Sequence, residues 1–203
     1  MNGKDNKQNT EMGSRQTIIE RIRQNKPETK PLPGSFTGNQ EPVSKEQLSV
    51  CFRESLIKAG AEIAEPDGNE GLEPYKEKHF PEAVDLTDTA VRKKYSSEIS
   101  KKELEKTGTV IIEGQFGVAE NGAIWLDETN FPNRLLPFIA ERLIILLNKE
   151  NIVSNMHGAY RKIDLRNTGF GVFISGPSKT ADIEQSLVYG AHGAKRLTIV
   201  LFD

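Results

Sequence analysis

The sequence predicts an α/β protein with a mostly parallel sheet and helices on both of its faces, preceded by an N-terminal helical arm. Apolar, β-prone segments alternate with helical patterns along the chain, which is typical of layered α/β sheets. The segment 142–147 is apolar at every position after Arg142, as a central parallel strand should be. With 203 residues, the chain is long enough for one domain with a proper core.

Residues 1–43 are expected to form the arm and its linker. The first 14 residues are polar and are therefore expected to be disordered. Ser14 then precedes Ile18, Ile19 and Ile22, a spacing that predicts a short capped helix. Several prolines end this helix and are expected to hold an extended linker up to about residue 42.

The α/β domain is predicted over residues 44–203. Ser44 and Gln47 approximate a capping box at the start of its first helix, and Gly60 ends that helix. Residues 65–81 form a loop-rich region to which no element is assigned. The other elements are predicted as a helix at 151–160 and strands at 61–64, 83–86, 109–114, 122–126, 142–147, 170–174 and 197–202.

The composition excludes several classes of function. The net charge is −2 with both signs mixed along the chain, which argues against a dedicated nucleic-acid binder. The single cysteine, Cys51, excludes an internal disulfide and an all-cysteine cage for zinc or an iron–sulfur cluster. Its position beside Phe52, in the helix predicted to begin near Ser44, predicts a buried thiol. No metal-ligand spacing or nucleotide-binding glycine motif occurs, so neither a metal nor a nucleotide is predicted.

No membrane span is expected. The longest apolar stretch, 135–147, contains Glu141 and Arg142 and is too short to cross a bilayer. The N-terminus is polar and lacks an apolar signal region. We therefore expect a cytoplasmic protein.

The run Ser-Gly-Pro-Ser-Lys-Thr-Ala-Asp-Ile-Glu at 175–184, the signature run, is the most informative part of the chain. It follows the strand at 170–174 and precedes a helical pattern at 183–190. This order predicts a helix N-terminus, where free main-chain amides and the helix dipole favour an anion. The loop adds two hydroxyls and an ammonium, those of Ser178, Thr180 and Lys179. The alternative is a plain connection capped by one of the hydroxyls, without a ligand.

The signature run and the Gly-Ala-His-Gly turn at 190–193 resemble the LUD domain family, in particular its lactate utilization protein C group. The resemblance covers about residues 105–203. Lys179 stands where the family usually has arginine, which keeps the charge but loses the planar fork. Ala194 replaces the usual proline, so the turn is less rigid.

The resemblance implies the fold of the CoA-transferase and ribose-5-phosphate-isomerase superfamily, whose doubly wound sheet binds ligands at the carboxyl ends of its strands. It also implies a subunit that takes part in the oxidation of L-lactate to pyruvate with iron–sulfur partner subunits of the A and B types. This chain would carry no cofactor, because the iron–sulfur clusters would lie in a partner subunit. Its own role would be to bind a small carboxylate or phosphate, to shape the interface or to regulate assembly.

The candidate catalytic residues are Asp182, His192 and Glu120. Asp182 is equally explained by a favourable position near a helix dipole, and His192 by a helix cap rather than a general base. Glu120 stands in a region where the family usually carries threonine hydroxyls, and it invites comparison with the nucleophilic glutamate of CoA transferases. The candidate anion- and substrate-binding residues are Ser175, Gly176, Ser178, Lys179, Thr180, Gln115, Arg134 and Glu184. For Arg134 a surface ion pair is the alternative.

The sequence leaves two other functions open. One is a stand-alone acyl/CoA transferase or sugar-phosphate isomerase, with Glu120 or Asp182 as its active carboxylate. The other is a non-catalytic scaffold that grips a partner through the N-terminal helix and its linker.

Overall fold

The computed structural model describes residues 14–28, 43–68, 70–95, 99–164, 166, 168–181 and 187–203. The chain divides into two compact units, residues 1–40 and 41–203. In the first unit, α1 (Ser14–Gln24) confirms the predicted short helix, with Ser14 as its first residue rather than its cap. The disordered start was predicted for the first 14 residues and the linker up to about residue 42; of these segments, residues 1–13 and 29–42 lie outside the described residues.

The second unit contains the longer helix α2 (Lys45–Ala59) and several short helices. Within the described ranges, no helix combines the length and the apolar character that a membrane crossing requires. The short helices are α3 (Leu72–His79), α4 (Thr89–Lys94), α5 (Lys101–Leu104), α6 (Leu136–Ile139) and α7 (Met156–Lys162).

The capping box predicted for α2 is confirmed. The Ser44 hydroxyl accepts a hydrogen bond from the Gln47 amide at 3.2 Å, and the Gln47 side chain accepts one from the Ser44 amide at 3.1 Å. At the other end Gly60 adopts a left-handed conformation, with φ 85°, and its amide donates to the Ile57 carbonyl. A side chain at this position would be strained, which explains why a glycine ends the helix.

Five parallel strands form the central sheet, in the order β1–β11–β6–β3–β2. The two long inner strands are paired along their whole length, from Arg196 opposite Arg142 to Phe202 opposite Asn148. The predicted parallel sheet is therefore confirmed, whereas the superfamily assignment stays a prediction. Its strands are β1 (Glu62–Ala64), β2 (Val84–Asp85), β3 (Thr109–Glu113), β6 (Arg142–Asn148) and β11 (Arg196–Phe202).

Both faces of this sheet are covered, as predicted. Alternate residues of the strands point to opposite sides, so Ile111 and Ile144 pack with Tyr75 of α3. Ile112 and Ile145 belong to a larger core on the other side. To that core the helices contribute Phe52 and Leu56 of α2, Val91 of α4, Leu104 of α5 and Leu136 of α6.

The helix α3 lies inside the region 65–81, for which the sequence predicted no element. Its prolines and glycines obscure it, yet they stand where a helix tolerates them. Gly71 is the N-cap residue, and Pro74 occupies the first turn, where the missing amide has no intrahelical partner in any case. The burial of Tyr75 against the sheet then stabilises this short helix.

Four strands form a second sheet, in the order β7–β4–β5–β8, which the sequence did not predict. The strand predicted at 170–174 was expected to join the parallel sheet, but it pairs antiparallel with the strand that includes Trp125. The sequence predicted no strand around Gly117, which lies in a short strand of this sheet. The strands are β4 (Phe116–Val118), β5 (Ala123–Asp127), β7 (Ile152–Val153) and β8 (Gly171–Ile174).

The prediction of a helix at 183–190 is wrong for the described residues 187–190. Strands β9 (Lys179–Ala181) and β10 (Leu187–Tyr189) form an antiparallel pair instead, with Thr180 opposite Val188. Residues 182–186 lie outside the described residues. Thr180, Val188 and Tyr189 are β-branched or aromatic and favour an extended backbone, a propensity that the helical spacing of the apolar residues had masked.

The prediction of a buried thiol at Cys51 is also wrong, because this side chain is exposed. Phe52 and Leu56 stand four residues apart on one helix face and are fully buried. Cys51 is one residue away from that face, which rotates its side chain by about 100° towards solvent.

A partly buried ion pair joins α3 to the end of β2. The Lys76 side chain is only 5% exposed, and its ammonium donates to Asp85 at 2.7 Å and to Thr87 at 3.0 Å. Burial alone would raise the pKa of the Asp85 carboxyl, but hydrogen bonds from Lys76 and Thr87 outweigh it and hold that pKa below its ordinary range. The ionised pair therefore stabilises the folded chain.

We expect Leu56→Ala to lower the free energy of unfolding by about 2–5 kcal/mol, because it leaves a cavity where α2 meets the sheet. Leu56 is 0% exposed, whereas its neighbour Ile57 is 66% exposed. Ile57→Ala is therefore the matched control and should change the value by less than about 0.5 kcal/mol. Urea unfolding followed by circular dichroism measures both. Equal effects of the two variants would contradict the described packing of α2.

The ion pair predicts a pH dependence of stability. Because the pKa of Asp85 is lowered on folding, its contribution is complete above about pH 3.9, the ordinary aspartate pKa, and is lost as the pH falls through the lower folded value. Urea unfolding of the wild type and of Asp85→Asn should show a stability difference that is constant near neutrality and shrinks below about pH 3.9. A difference that stays constant down to pH 3 would show that the ionised carboxylate is not the stabilising group.

Candidate functional site

The signature loop, residues 175–178 between β8 and β9, lies against the C-terminal end of α2. Gly176 has a φ of 75°, and a Cβ at this position would overlap the carbonyl oxygen of Ala59. Only a glycine therefore allows the loop to approach the helix so closely. The end of α2 and the loop form one packed junction.

Ser178 is hydrogen-bonded to the turn at 190–194 through its amide, its carbonyl and its hydroxyl. Its amide donates to the Ala194 carbonyl at 2.9 Å, and its carbonyl accepts from the Gly190 amide at 3.0 Å. Its hydroxyl oxygen accepts a hydrogen bond from the His192 amide at 3.3 Å. The groups of Ser178 that were predicted to face an anion thus hold the turn.

Lys179 is bonded to α2. Its ammonium donates to the carbonyl oxygen of Ala59 at 2.5 Å, at the helix terminus where free carbonyls and the helix dipole favour a positive charge. Among the described residues one carbonyl oxygen accepts from this ammonium, so a point charge serves here and the planar fork of an arginine is not required.

These contacts correct the prediction of an anion pocket at a helix N-terminus. The pattern at 179–181 is a strand rather than the start of a helix, and the Ser178 amide is already bonded. Asp182 and Glu184 lie outside the described residues. For Ser175, Gly176 and Thr180, contact with a ligand stays a prediction.

The loop containing Glu120 touches the signature loop through Asn121. The Ser175 hydroxyl donates to the Asn121 carbonyl at 2.8 Å, so two segments singled out in the sequence do meet. The Glu120 carboxylate accepts a hydrogen bond from the Met156 amide at 2.9 Å, at the start of α7. Glu120 therefore has a local structural role as a helix-capping group.

Gln115 and Arg134 make their described contacts elsewhere. The Gln115 amide donates to the buried Asp127 carboxylate at 2.6 Å, and Arg134 pairs with Glu128 at 2.9 Å while lying over the Phe170 ring. Neither side chain has a hydrogen bond to the signature loop in the part of the chain that the structure describes. For Arg134 the surface ion pair, the alternative stated from the sequence, is present.

A cavity of about 450 Å³ lies beside the turn that Ser178 holds. We call it the turn cavity. The exposed residue His192 lines it. Its wall is Leu135, Phe138, Ile139, Ala140, Glu141, Gly190, Ala191, His192, Gly193 and Lys195. The sequence marked His192 as a candidate, but nothing in the spacing indicated that Leu135 and Phe138 face the same cavity.

The turn cavity offers donors to a small anion. The amides of Ala191 and Gly193, on either side of the bonded His192 amide, donate to no group in the described ranges, and free amides in a turn suit an anion. Lys195 supplies a cation whose partner, Glu141 at 3.2 Å, is itself well exposed, so the ion pair is weak and readily exchanged. Leu135 and Phe138 add apolar surface. This combination fits a short carboxylic acid with an apolar end.

Another cavity in the described part of the chain is less suited to an anion, because its wall carries four carboxylates. It measures about 550 Å³ and lies around Lys76 and Asp85, whose polar groups bond to each other and to Thr87. No predicted site residue lines it. Within the described ranges no cluster of three or more histidine, cysteine or carboxylate side chains is arranged to hold a metal ion. The turn cavity is therefore the candidate site.

Comparison with known proteins finds relatives named lactate utilization protein C. Lactate utilization protein C of Bacillus pumilus (strain SAFR-032) is 31% identical over 119 residues, covering 54% of this chain and 50% of the relative. The protein of the same name from Shouchella clausii (strain KSM-K16) is 36% identical over 92 residues, covering 42% of this chain and 40% of the relative. The matched part thus spans half or less of each relative.

A solved structure shares the fold of this chain. The crystal structure of a DUF162 family protein from Deinococcus radiodurans superposes with a TM-score of 0.58, covering 79% of this chain and 99% of that protein. At 16% identity the likeness establishes the fold alone. The LUD domain itself matches residues 39–202, which include the signature run, the turn and the turn cavity. The chain therefore belongs to the LUD domain family.

Proposed function

We propose that this chain is a lactate utilization subunit of the C type, which takes part with iron–sulfur partner subunits of the A and B types in the cytoplasmic oxidation of L-lactate to pyruvate. The observation that carries the proposal is the identity of 31% and 36% to two proteins named lactate utilization protein C, within a matched LUD domain.

The reaction itself requires an electron acceptor. Oxidation of lactate to pyruvate releases two electrons and two protons, so the electrons must pass to a redox group. Cys51 is the single cysteine of the chain, and one thiolate does not hold an iron–sulfur cluster. We therefore assign the clusters to the partner subunits and a non-redox role to this chain.

In this role the turn cavity binds the substrate carboxylate. The amides of Ala191 and Gly193 and the Lys195 ammonium receive the negative charge, while Leu135 and Phe138 contact the methyl group. His192 can accept a hydrogen bond from the substrate hydroxyl and take its proton. Pockets for much larger ligands measure about 300–1,000 Å³. A cavity of about 450 Å³ is thus wide for a three-carbon acid and leaves room for a group of a partner subunit.

The described contacts do not favour a stand-alone transferase or isomerase. A nucleophilic carboxylate must reach the reacting carbonyl, but that of Glu120 bonds to the Met156 amide at the start of a helix. A non-catalytic scaffold does not require the open amides and the histidine beside the turn cavity. A subunit that binds a small carboxylate uses both the open amides and the histidine.

Reconstitution tests the proposal. Purified A- and B-type subunits with L-lactate and a dye acceptor should form pyruvate only when the full chain is added. His192→Ala should lower the rate at least about 100-fold if the imidazole takes the hydroxyl proton. His157→Ala is the matched control, because His157 lies on α7 and does not line the turn cavity, and it should keep the wild-type rate. Full turnover by the partner subunits without this chain would contradict the proposal.

A further inference from the structure

We infer that Ser178 and Lys179 of the signature run are positioning residues, which fix the His192 turn to the end of α2 instead of contacting the ligand. The inference rests on the proposed function only for the identity of the ligand. The contacts on which it depends are those of the folded chain alone. We call the two residues the clasp.

One side of the clasp is the turn. Ser178 accepts from the amides of Gly190 and His192 and donates to the Ala194 carbonyl. These three bonds reach the first, middle and last parts of the turn, so its backbone has little freedom to move away from Ser178. Gly193 also packs closely, since a Cβ there would lie 3.2 Å from the Ser178 Cβ. Both open amides of the turn cavity, at 191 and 193, are therefore held by their bonded neighbours.

The other side of the clasp is α2. The Lys179 ammonium bonds to the Ala59 carbonyl at 2.5 Å, and its position leaves only 2.9 Å to a Cβ built on Gly60. The helix is itself anchored in the core by Phe52 and Leu56, which are fully buried. A residue on a rigid helix is a precise anchor. Ser178 and Lys179, which are adjacent in sequence, thus fix the position of the turn relative to α2.

Lys179 does not line the turn cavity, so contact with a ligand there would require its ammonium to leave the helix terminus. There it meets carbonyl groups that have no intrahelical partner and the negative end of the helix dipole, so a displaced ammonium would lose both. Lys195 already supplies a cation at the wall of the turn cavity, whereas Lys179 does not line it. Lys179 therefore positions the turn, whereas Lys195 faces the ligand.

Amide hydrogen exchange, followed by NMR on the full chain, tests the clasp without any ligand. Ser178→Ala should speed exchange at the His192 amide by about 3- to 10-fold, since it removes one hydrogen bond and keeps both backbone bonds. Lys179→Met should speed exchange at Gly190 by a similar factor, and Lys179→Arg should restore it. Ser175→Ala is the control: its hydroxyl bonds to Asn121 instead of the turn, so exchange at His192 should stay at the wild-type rate.

A pyruvate titration of the same variants separates positioning from ligand contact. If Lys179 positions the turn, Lys179→Met weakens pyruvate binding together with the faster exchange at Gly190, and Lys179→Arg restores both. Weaker binding with unchanged exchange would overturn the inference, as would unchanged exchange at His192 in Ser178→Ala. If no variant binds pyruvate, the proposed ligand is wrong, and the exchange rates still decide the clasp.

Discussion

The close packing of two loops against α2 is the constraint on which the candidate site depends. Gly122 and Gly176 come from different parts of the chain, and both have a positive φ. A Cβ on Gly122 would lie 2.9 Å from the Leu56 amide nitrogen, and one on Gly176 would overlap the Ala59 carbonyl. Because the loops can approach so closely, Ser178 and Lys179 reach the turn on one side and the helix terminus on the other. The position of the turn cavity follows from this contact.

This arrangement gives the signature run a different meaning from the one that its composition suggests. A serine, a lysine and a threonine near an expected helix start are typical of an anion site, yet the Ser178 amide and the Lys179 ammonium bond within the protein. The amides that donate to no described group lie in the neighbouring turn, at Ala191 and Gly193. A motif of polar residues can thus serve a binding site by holding its walls, as outer groups commonly do around catalytic and metal centres.

Sequence periodicity predicted the central sheet well, because buried parallel strands such as 142–147 are uniformly apolar and the capping residues of α2 act locally. It failed where tertiary contacts decide. The hairpin β9–β10 was taken for a helix, since the spacing of its apolar residues fits both, and α3 was hidden by Gly71 and Pro74. His192 was found by its motif, but Leu135 and Phe138 join it through packing over more than 50 residues of sequence, which no local pattern records.

The most direct test of this account is a crystal structure of the full chain with pyruvate at saturating concentration. We expect the carboxylate to lie against the amides of Ala191 and Gly193, with the Ser178–Ala194 and Lys179–Ala59 hydrogen bonds unchanged. A carboxylate bound to the Lys179 ammonium, with its bond to Ala59 broken, would contradict the account and return the signature run to the role of an anion site.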